Sequence, residues 1–153
     1  MPGSVAATPA RVLVVDDDAD TREVLGEILR ASGYSCVTAS GAAQALQHLA
    51  ESEFGVVVCD LVMPGIGGME LLAEIRARFQ STDTLLMTGF GTIELAVEAM
   101  RMGACDFLTK PLLAERLVGA ISRVIRSRKG PGPEDRFEAV SYTHLTLPTI
   151  LLV

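Results

Sequence analysis

The chain has no tryptophan, and aromatic residues make up only 5% of its 153 residues. Basic residues are scarce as well: 13 Lys and Arg stand against 19 Asp and Glu, which gives a net charge of −6. Proteins that bind nucleic acid normally present a basic surface to the phosphates, so this charge balance argues against such a partner. No apolar run approaches the ~18 residues of a membrane span. We therefore expect a cytoplasmic protein that binds neither nucleic acid nor a membrane.

Cysteine is rare, and the three cysteines, Cys36, Cys59 and Cys105, are far apart in the sequence. An odd number without C-x-x-C spacing indicates neither a disulfide framework nor a zinc site. We expect all three to lie in the core as small apolar side chains. Five methionines are also expected in the core: Met63, Met69, Met87, Met100 and Met102.

Hydrophobic residues make up 49% of the chain, enough to bury the core of one domain, which we assign to residues 11–128. Residues 1–10 are small and include proline, which predicts a loose N-terminus. Gly and Pro within residues 129–139 predict a linker. Residues 140–153 resemble the translated read-through of a sequencing adaptor, so we interpret them as an artefactual tail. The alternative is a genuine apolar strand or interaction tail.

Short β-branched runs alternate with amphipathic segments along the domain. Val12–Val15 and Val56–Cys59 are typical of buried strands. Further strands are predicted over residues 35–39, 84–88 and 104–109, and a helix is predicted after each of the five strands. This alternation predicts an α/β fold with a parallel sheet and helices on both faces. Functional residues in such sheets gather at the carboxyl ends of the strands.

Polar residues mark the predicted helix starts. Asp18 or Asp20 is expected to cap the first helix, and Glu23 to complete a capping box after Asp20. Ser40 is expected to cap the second helix. The apolar face of the first helix is predicted to contain Val24, Leu25, Ile28 and Leu29.

Five side chains that carry a charge or a hydroxyl stand where predicted strands end: Asp16, Asp17, Asp60, Thr88 and Lys110. Three carboxylates at one sheet edge repel one another unless a hard divalent cation lies between them, and Mg²⁺ is the natural choice. A cation with open positions beside a Lys and a Thr favours phosphoryl-transfer chemistry. The alternative for the acidic run at residues 16–20 is a solvated helix start.

The motifs Asp16-Asp17, Asp60-Leu-Val-Met-Pro-Gly, Thr88-Gly89 and Lys110-Pro111 occur in this order at these strand ends. Through them the chain resembles the receiver domain of bacterial two-component response regulators, over roughly residues 10–128. Through residues 89–100 and 106–111 it is most similar to receivers of enhancer-binding transcription activators of the nitrogen-regulation type. The resemblance implies a flavodoxin-like (βα)5 doubly wound sheet of order 2-1-3-4-5. It also implies the N-terminal fragment of a transcriptional response regulator rather than an enzyme.

The resemblance further implies roles for the site residues. Asp60 is expected to accept a phosphoryl group from a phosphohistidine on a sensor histidine kinase or phosphotransfer protein. Asp17 and Asp60 are expected to bind Mg²⁺ directly and Asp16 through a water. The backbone carbonyl of Val62 is a further expected ligand, and Lys110 is expected to pair with a phosphoryl oxygen.

Thr88 and Phe107 are the expected switch residues. Thr88 would move its hydroxyl onto the phosphoryl group, and Phe107 would turn inward behind it; the alternative for Phe107 is an ordinary core residue. The bond between Lys110 and Pro111 is expected to be cis, and Gly89 is expected to leave the phosphoryl group accessible. Phosphorylated molecules are expected to form homodimers through the fourth helix, fifth strand and fifth helix.

Val62 and Phe90 lie two residues after Asp60 and Thr88, where an attacking water would be aligned. Both are apolar and unable to orient that water, so we expect slow self-dephosphorylation.

Two alternative functions remain. An Asp-nucleophile phosphohydrolase would carry a second Asp at the position of Val62. A degenerate receiver that binds partners without phosphorylation would not need the complete set of site residues.

Overall fold

The structure, a computed structural model, describes residues 10–128. The strands are β1 Arg11–Val15, β2 Ser35–Ala39, β3 Val56–Asp60, β4 Asp83–Thr88 and β5 Asp106–Thr109. The helices are α1 Ala19–Ala31, α2 Ala42–Glu51, α3 Gly68–Arg78, α4 Ile93–Arg101 and α5 Ala114–Arg128. The expected loose N-terminus over residues 1–9, the linker and the tail lie outside the described residues. Within residues 10–128, no helix has both the length and the apolar character that crossing a membrane requires.

The five strands form one parallel sheet in the order β2-β1-β3-β4-β5. This confirms the expected α/β fold and its flavodoxin-like strand order. In the register of the sheet, Val15 lies beside Cys59 and Asp60 lies beside Met87. The residue that follows β1 and the residue that ends β3 therefore share one sheet edge, which brings Asp16 close to Asp60.

Helices cover both faces of the sheet. One core cluster packs α2, α3 and α4 against it, and a second cluster packs α1 and α5 against the opposite face. Side chains of β3 alternate between the clusters, with Val57 and Cys59 in the first and Val56 and Val58 in the second. Every residue of β3 is buried, as expected for a central parallel strand. β3 is thus a rigid support for Asp60 at its end.

The start of α1 differs from the predicted capping box. Asp18 is the N-cap, and its Oδ2 accepts the Thr21 hydroxyl at 2.6 Å and the Thr21 N–H at 2.9 Å. These hydrogen bonds lower the pKa of Asp18. Asp20 lies inside the first turn, so the predicted box of Asp20 with Glu23 is wrong. The reason is that the Asp18 N–H donates to Asp16 Oδ1 at 2.9 Å, which fixes Asp18 just before the helix.

Ser40 does not cap α2, so that prediction is also wrong. The N-cap is Gly41, which makes no side-chain capping hydrogen bond. The backbone N–H of Ser40 instead donates to Oε1 of Gln44 at 2.7 Å. A longer amide side chain reaching back from the first turn replaces the hydroxyl cap that the sequence suggested.

Several residues expected in the core are partly at the surface. Val24 and Met100 are 53% and 45% exposed, because α1 and α4 bury only narrow stripes against the sheet. Cys59 is buried, whereas Cys36 and Cys105 are partly exposed on or beside the edge strands β2 and β5. Burial raises the pKa of all three thiols, which keeps them unreactive.

Candidate functional site

Three carboxylates meet at the carboxyl edge of the sheet. Asp16 and Asp17 follow β1, Asp60 ends β3, and one carboxylate oxygen of each lies within 4.8 Å of the others. Asp16 is fully buried and Asp60 is 7% exposed, whereas Asp17 is exposed. The three side chains therefore form an acidic cup that opens to solvent on the side of Asp17.

Lys110, which follows β5, is the cation of this cluster. Its Nζ lies 2.9 Å from Asp16 Oδ2 and 3.4 Å from Asp60 Oδ2. Burial lowers the pKa of Lys110, but the hydrogen bonds and attraction from the two carboxylates outweigh burial, and the net pKa is raised. Lys110 is therefore held as an ammonium beside Asp60.

The electrostatics of Asp60 favour an added cation. Burial raises the pKa of Asp60 and repulsion from Asp16 raises it further, while Lys110 and the Val62 N–H act in the opposite direction. Three carboxylates face one ammonium, so negative charge is in excess at the cup. Carboxylate oxygens with an open side suit Mg²⁺, which binds through few protein ligands and keeps several waters. The donor set fits this ion in charge and in ligand type.

Thr88 ends β4 next to the cluster and is 1% exposed. Its Oγ1 accepts the backbone N–H of Phe90 at 3.1 Å, and its carbonyl accepts the N–H of Lys110 at 2.7 Å. The strand end that carries the hydroxyl is thus tied both to the β4–α4 loop and to the residue that supplies the ammonium.

Acidic residues at the ends of β1 and β3, a hydroxyl at the end of β4 and a lysine at the end of β5 therefore all lie at the carboxyl edge of one sheet. The family described as "Response regulator receiver domain" matches residues 12–122 of this chain. The chain belongs to this family.

Several relatives of this receiver are longer proteins. The response regulator FleR from Pseudomonas aeruginosa is 43% identical over 114 residues, which are 74% of this chain and 24% of FleR. The transcriptional regulatory protein FixJ from Bradyrhizobium diazoefficiens is 40% identical over 134 residues, 88% of this chain and 64% of FixJ. The crystal structure of NtrX from Brucella abortus is 35% identical with a TM-score of 0.73 and covers 79% of this chain and 27% of that one. The chain thus spans about a quarter to two-thirds of these relatives. The similarity to NtrX confirms the expected likeness to nitrogen-regulation-type regulators.

Phe107 of the receiver lies on β5 and is partly buried against the core cluster that contains α4. At Gly91, a Cβ atom would lie 2.5 Å from the Thr109 methyl group and 3.4 Å from the Phe107 ring. The β4–α4 loop therefore rests directly on β5, with no space for a side chain between them. The peptide bond between Lys110 and Pro111 is cis, as expected.

The loops around Asp60 present apolar side chains to solvent. Val62 is 65% exposed and Phe90 is 82% exposed. At Gly89, an added Cβ atom would meet nothing within 4 Å. The rim of the receiver site is therefore apolar and open on this side, in contrast to the acidic β1–α1 side.

Two residues of the site, Gly68 and Arg22, were not predicted from the sequence. At Gly68, a Cβ atom would lie 2.6 Å from the carbonyl oxygen of Asp60, so α3 begins against the backbone of Asp60. Arg22 donates from Nη1 to the carbonyl oxygen of Asp16 at 2.8 Å. For Gly68, the signal in the sequence is the Pro- and Gly-rich loop after Asp60, which is typical of a place where two stretches of backbone lie close together. For Arg22 no sequence signal existed, since an arginine on an amphipathic helix is ordinarily a surface residue.

Proposed function

We propose that this receiver accepts a phosphoryl group on Asp60 in a Mg²⁺-dependent reaction, and that the resulting acyl phosphate switches the output of a parent regulator. The observation that carries the proposal is the position of Asp60 Oδ2, 3.4 Å from Lys110 Nζ and inside the carboxylate cluster. In this proposal Asp17 and Asp60 coordinate Mg²⁺ directly and Asp16 does so through a water. The backbone carbonyl of Val62 is the further ligand.

The proposed reaction is an in-line transfer. One oxygen of the Asp60 carboxylate attacks the phosphorus of a phosphohistidine, the P–N bond breaks as the P–O bond forms, and the electron pair of the P–N bond stays with the imidazole. Lys110 is placed to pair with a phosphoryl oxygen as negative charge moves onto it. Bound Mg²⁺ supplies neutralisation of the phosphoryl and carboxylate charges. The acyl phosphate is a regulatory state and not a released product, so the domain acts as a phosphoacceptor rather than as an enzyme.

The proposed switch starts at Thr88. Its hydroxyl turns toward the phosphoryl oxygens, and its oxygen then leaves the N–H of Phe90 that it accepts in this structure. Release of this N–H frees the β4–α4 loop, and Phe107 turns inward beneath it. Added phosphoryl charge thereby changes the position of α4 through a local two-state element.

A groove of about 480 Å³ beside Lys110 supports a protein donor. It runs between α1 and the β5–α5 loop, and its lining includes Val24, Leu25, Lys110, Pro111 and Leu112. Apolar lining next to the phosphoacceptor allows a donor helix to bind while its phosphohistidine reaches Asp60. We assign this groove to a sensor histidine kinase or phosphotransfer protein.

This chain is similar to only part of FixJ, a longer transcriptional regulatory protein. From this similarity we propose that the parent protein is a cytoplasmic transcriptional response regulator. The receiver domain comprises residues 11–128 in this proposal, after a loose terminus of residues 1–10. Residues 129–139 are the linker toward the output domain, and residues 140–153 are an artefactual tail.

The test is phosphorylation by a small acyl-phosphate donor, measured as intact mass. We expect a single phosphate on the wild type in the presence of Mg²⁺, none after chelation, and none on Asp60→Asn. Asp106→Asn is the matched control, since Asp106 lies on β5 and pairs with Arg123 at 3.4 Å rather than with the acidic cluster.

A folded wild type that takes up no phosphate would overturn the proposal and favour a receiver that binds partners without phosphorylation. A phosphate retained by Asp60→Asn and lost by another Asp variant would move the phosphoacceptor away from β3.

A further inference from the structure

Arg22 is the fourth residue of α1, at the end of its first turn, and its side chain reaches back over the acidic β1–α1 loop. Its Nη1 donates to the carbonyl oxygen of Asp16 at 2.8 Å. Its backbone N–H donates to the carbonyl oxygen of Asp18 at 3.1 Å. The side chain of Arg22 therefore holds the main chain just before Asp17, the exposed member of the carboxylate cluster, while the bond from its backbone N–H is a regular bond of the helix.

The two peptide groups that flank Asp17 are each fixed by one hydrogen bond. The peptide before Asp17 is held at its carbonyl by the guanidinium of Arg22. The peptide after Asp17 is held at its N–H, since the Asp18 N–H donates to Asp16 Oδ1 at 2.9 Å. Rotation of the backbone at Asp17 is restricted from both sides, and this restriction limits the directions in which its carboxylate can point.

We propose that Arg22 is a positioning residue, which orients the Asp17 carboxylate toward the cation site without touching the ion. This inference rests on the Mg²⁺ site of the proposed function. A ligand already held in its binding orientation loses less conformational entropy when the ion binds. The hydrogen bond from Arg22 therefore increases Mg²⁺ affinity, even though the charge of the guanidinium opposes a second cation nearby.

The hydrogen bond and the charge of Arg22 act with opposite signs, which makes the proposal testable. Arg22→Met removes both; Arg22→Lys keeps the charge and shortens the reach of the donor. If positioning dominates, Arg22→Met weakens Mg²⁺ binding roughly 10-fold, the scale found when a partner of a metal ligand is lost. The Mg²⁺ affinity of Arg22→Lys then lies between the affinities of Arg22→Met and the wild type. If Arg22 acts only through its charge, Arg22→Met binds Mg²⁺ more tightly than the wild type and Arg22→Lys equals the wild type.

Arg30 gives a matched control on the same helix. Its Nη2 donates to the carbonyl oxygen of Cys36 at 3.2 Å, away from the carboxylate cluster. Arg30→Met therefore removes one positive charge of α1 and the same kind of hydrogen bond as Arg22→Met. We expect it to lower Tm without changing Mg²⁺ affinity.

The measurement is Mg²⁺ titration by calorimetry on the full chain, with Tm recorded for each variant and phosphoryl uptake measured at saturating Mg²⁺. We expect weaker Mg²⁺ binding in Arg22→Met, with uptake restored close to the wild-type rate at saturation. Arg22→Met that binds Mg²⁺ as tightly as the wild type or more tightly would overturn the inference alone, because the wild type would still bind Mg²⁺. A wild type that binds no Mg²⁺ would overturn the proposed function and this inference together.

Discussion

At the scale of single residues, Asp60 occupies a position that disfavours its own charge. Burial and the neighbouring Asp16 raise its pKa, and Lys110 only partly compensates. We therefore expect Asp60→Asn to raise the Tm at pH 7 by a few degrees, as removal of an unfavourable charge does. Scanning calorimetry without Mg²⁺ measures this difference.

The pH dependence of this gain follows from the direction of the shift. A carboxylate whose pKa is raised in the folded state destabilises the fold above that pKa, and the effect disappears below the pKa of an unfolded Asp, about 3.9. The difference in Tm between Asp60→Asn and the wild type should be constant above the folded-state pKa of Asp60, shrink as the pH falls through that pKa, and become small below the unfolded pKa of about 3.9. A lower Tm for Asp60→Asn at pH 7 would contradict this account.

We expect the lifetime of the phosphoryl group proposed on Asp60 to depend on Val62 and Phe90, which stand exposed on the two loops beside Asp60. Neither side chain can orient a water for attack on the acyl phosphate. We expect the double variant Val62→Asn with Phe90→Glu to lose its phosphate roughly 10-fold faster or more, since a positioned polar group assists attack by water. The rate of phosphate loss is measured by intact mass as the phosphorylated species decreases after the donor is removed. Ile66→Asn, also exposed on the β3–α3 loop, is the control; an unchanged lifetime in the double variant would refute the prediction.

At the scale of elements, the start of α3 determines where the end of β3 lies. A methyl group at Gly68 would stand 2.6 Å from the Asp60 carbonyl oxygen and 2.8 Å from Leu61 Cα, both backbone atoms that cannot turn aside. We expect Gly68→Ala to destabilise the fold by about 1–3 kcal/mol, the usual range for overpacking. Denaturant unfolding measures it.

Gly41→Ala is the control for this variant. Gly68 is the first residue of α3 and Gly41 stands just before α2, but an added methyl group at Gly41 meets nothing within 4 Å. Because Ala is less favourable than Gly at an N-cap, we expect Gly41→Ala to lower the free energy of unfolding by about 0.5–1 kcal/mol, less than Gly68→Ala. Equal destabilisation by the two substitutions would show that the close approach at Gly68 is not the cause.

The strands could be predicted from the sequence because their signals are local. Val12–Val15 and Val56–Cys59 are β-branched and apolar, and the structure has β1 and β3 there. The order of the strands came from the family resemblance, since spacing alone does not set it. Asp18, the cap of α1, was one of the two caps predicted, but the sequence does not decide between Asp18 and Asp20. The predicted cap of α2 was wrong, because the Gln44 side chain reaches back to the Ser40 N–H through a contact that a one-residue offset would remove.

The residues of the candidate site could be predicted where they stand at the end of a predicted strand. Asp16, Asp60 and Lys110 could be found because parallel strands bring their ends to one edge. The exposure of Val24 and the contact of Arg22 with a backbone carbonyl depend on how α1 packs on the sheet. Such tertiary contacts leave no periodic or compositional signal in the sequence.

At the scale of the whole molecule, α4 presents an apolar surface to solvent. Ile93, Val97 and Met100 follow one side of the helix and are 46%, 39% and 45% exposed. We propose that this surface, with β5 and α5, forms the dimer interface of the phosphorylated receiver. An exposed apolar stripe of this kind marks an interaction site.

We expect the phosphorylated wild type to dimerise and Val97→Glu to remain monomeric with normal phosphate uptake. A carboxylate placed on this apolar surface would lose its water when the interface forms, and the cost of that loss opposes association. Sedimentation of phosphorylated and unphosphorylated samples measures the mass of each. Val24→Glu, exposed on α1, should dimerise like the wild type. A phosphorylated wild type that stays monomeric, or a dimeric Val97→Glu, would exclude this interface.

In the structure a neutral hydrogen bond from the Phe90 N–H to Thr88 Oγ1 ties the β4–α4 loop to the end of β4, next to the place where Gly91 packs on β5. A bond of this kind contributes about 1 kcal/mol, which biases two populations only by a factor of about 5. An output partner that prefers the released loop would therefore draw part of the unphosphorylated receiver into the active form. Thermodynamic reciprocity then requires that the same partner make Asp60 a better acceptor. The cellular concentration of the output machinery would thus set the sensitivity of the pathway to its own input signal.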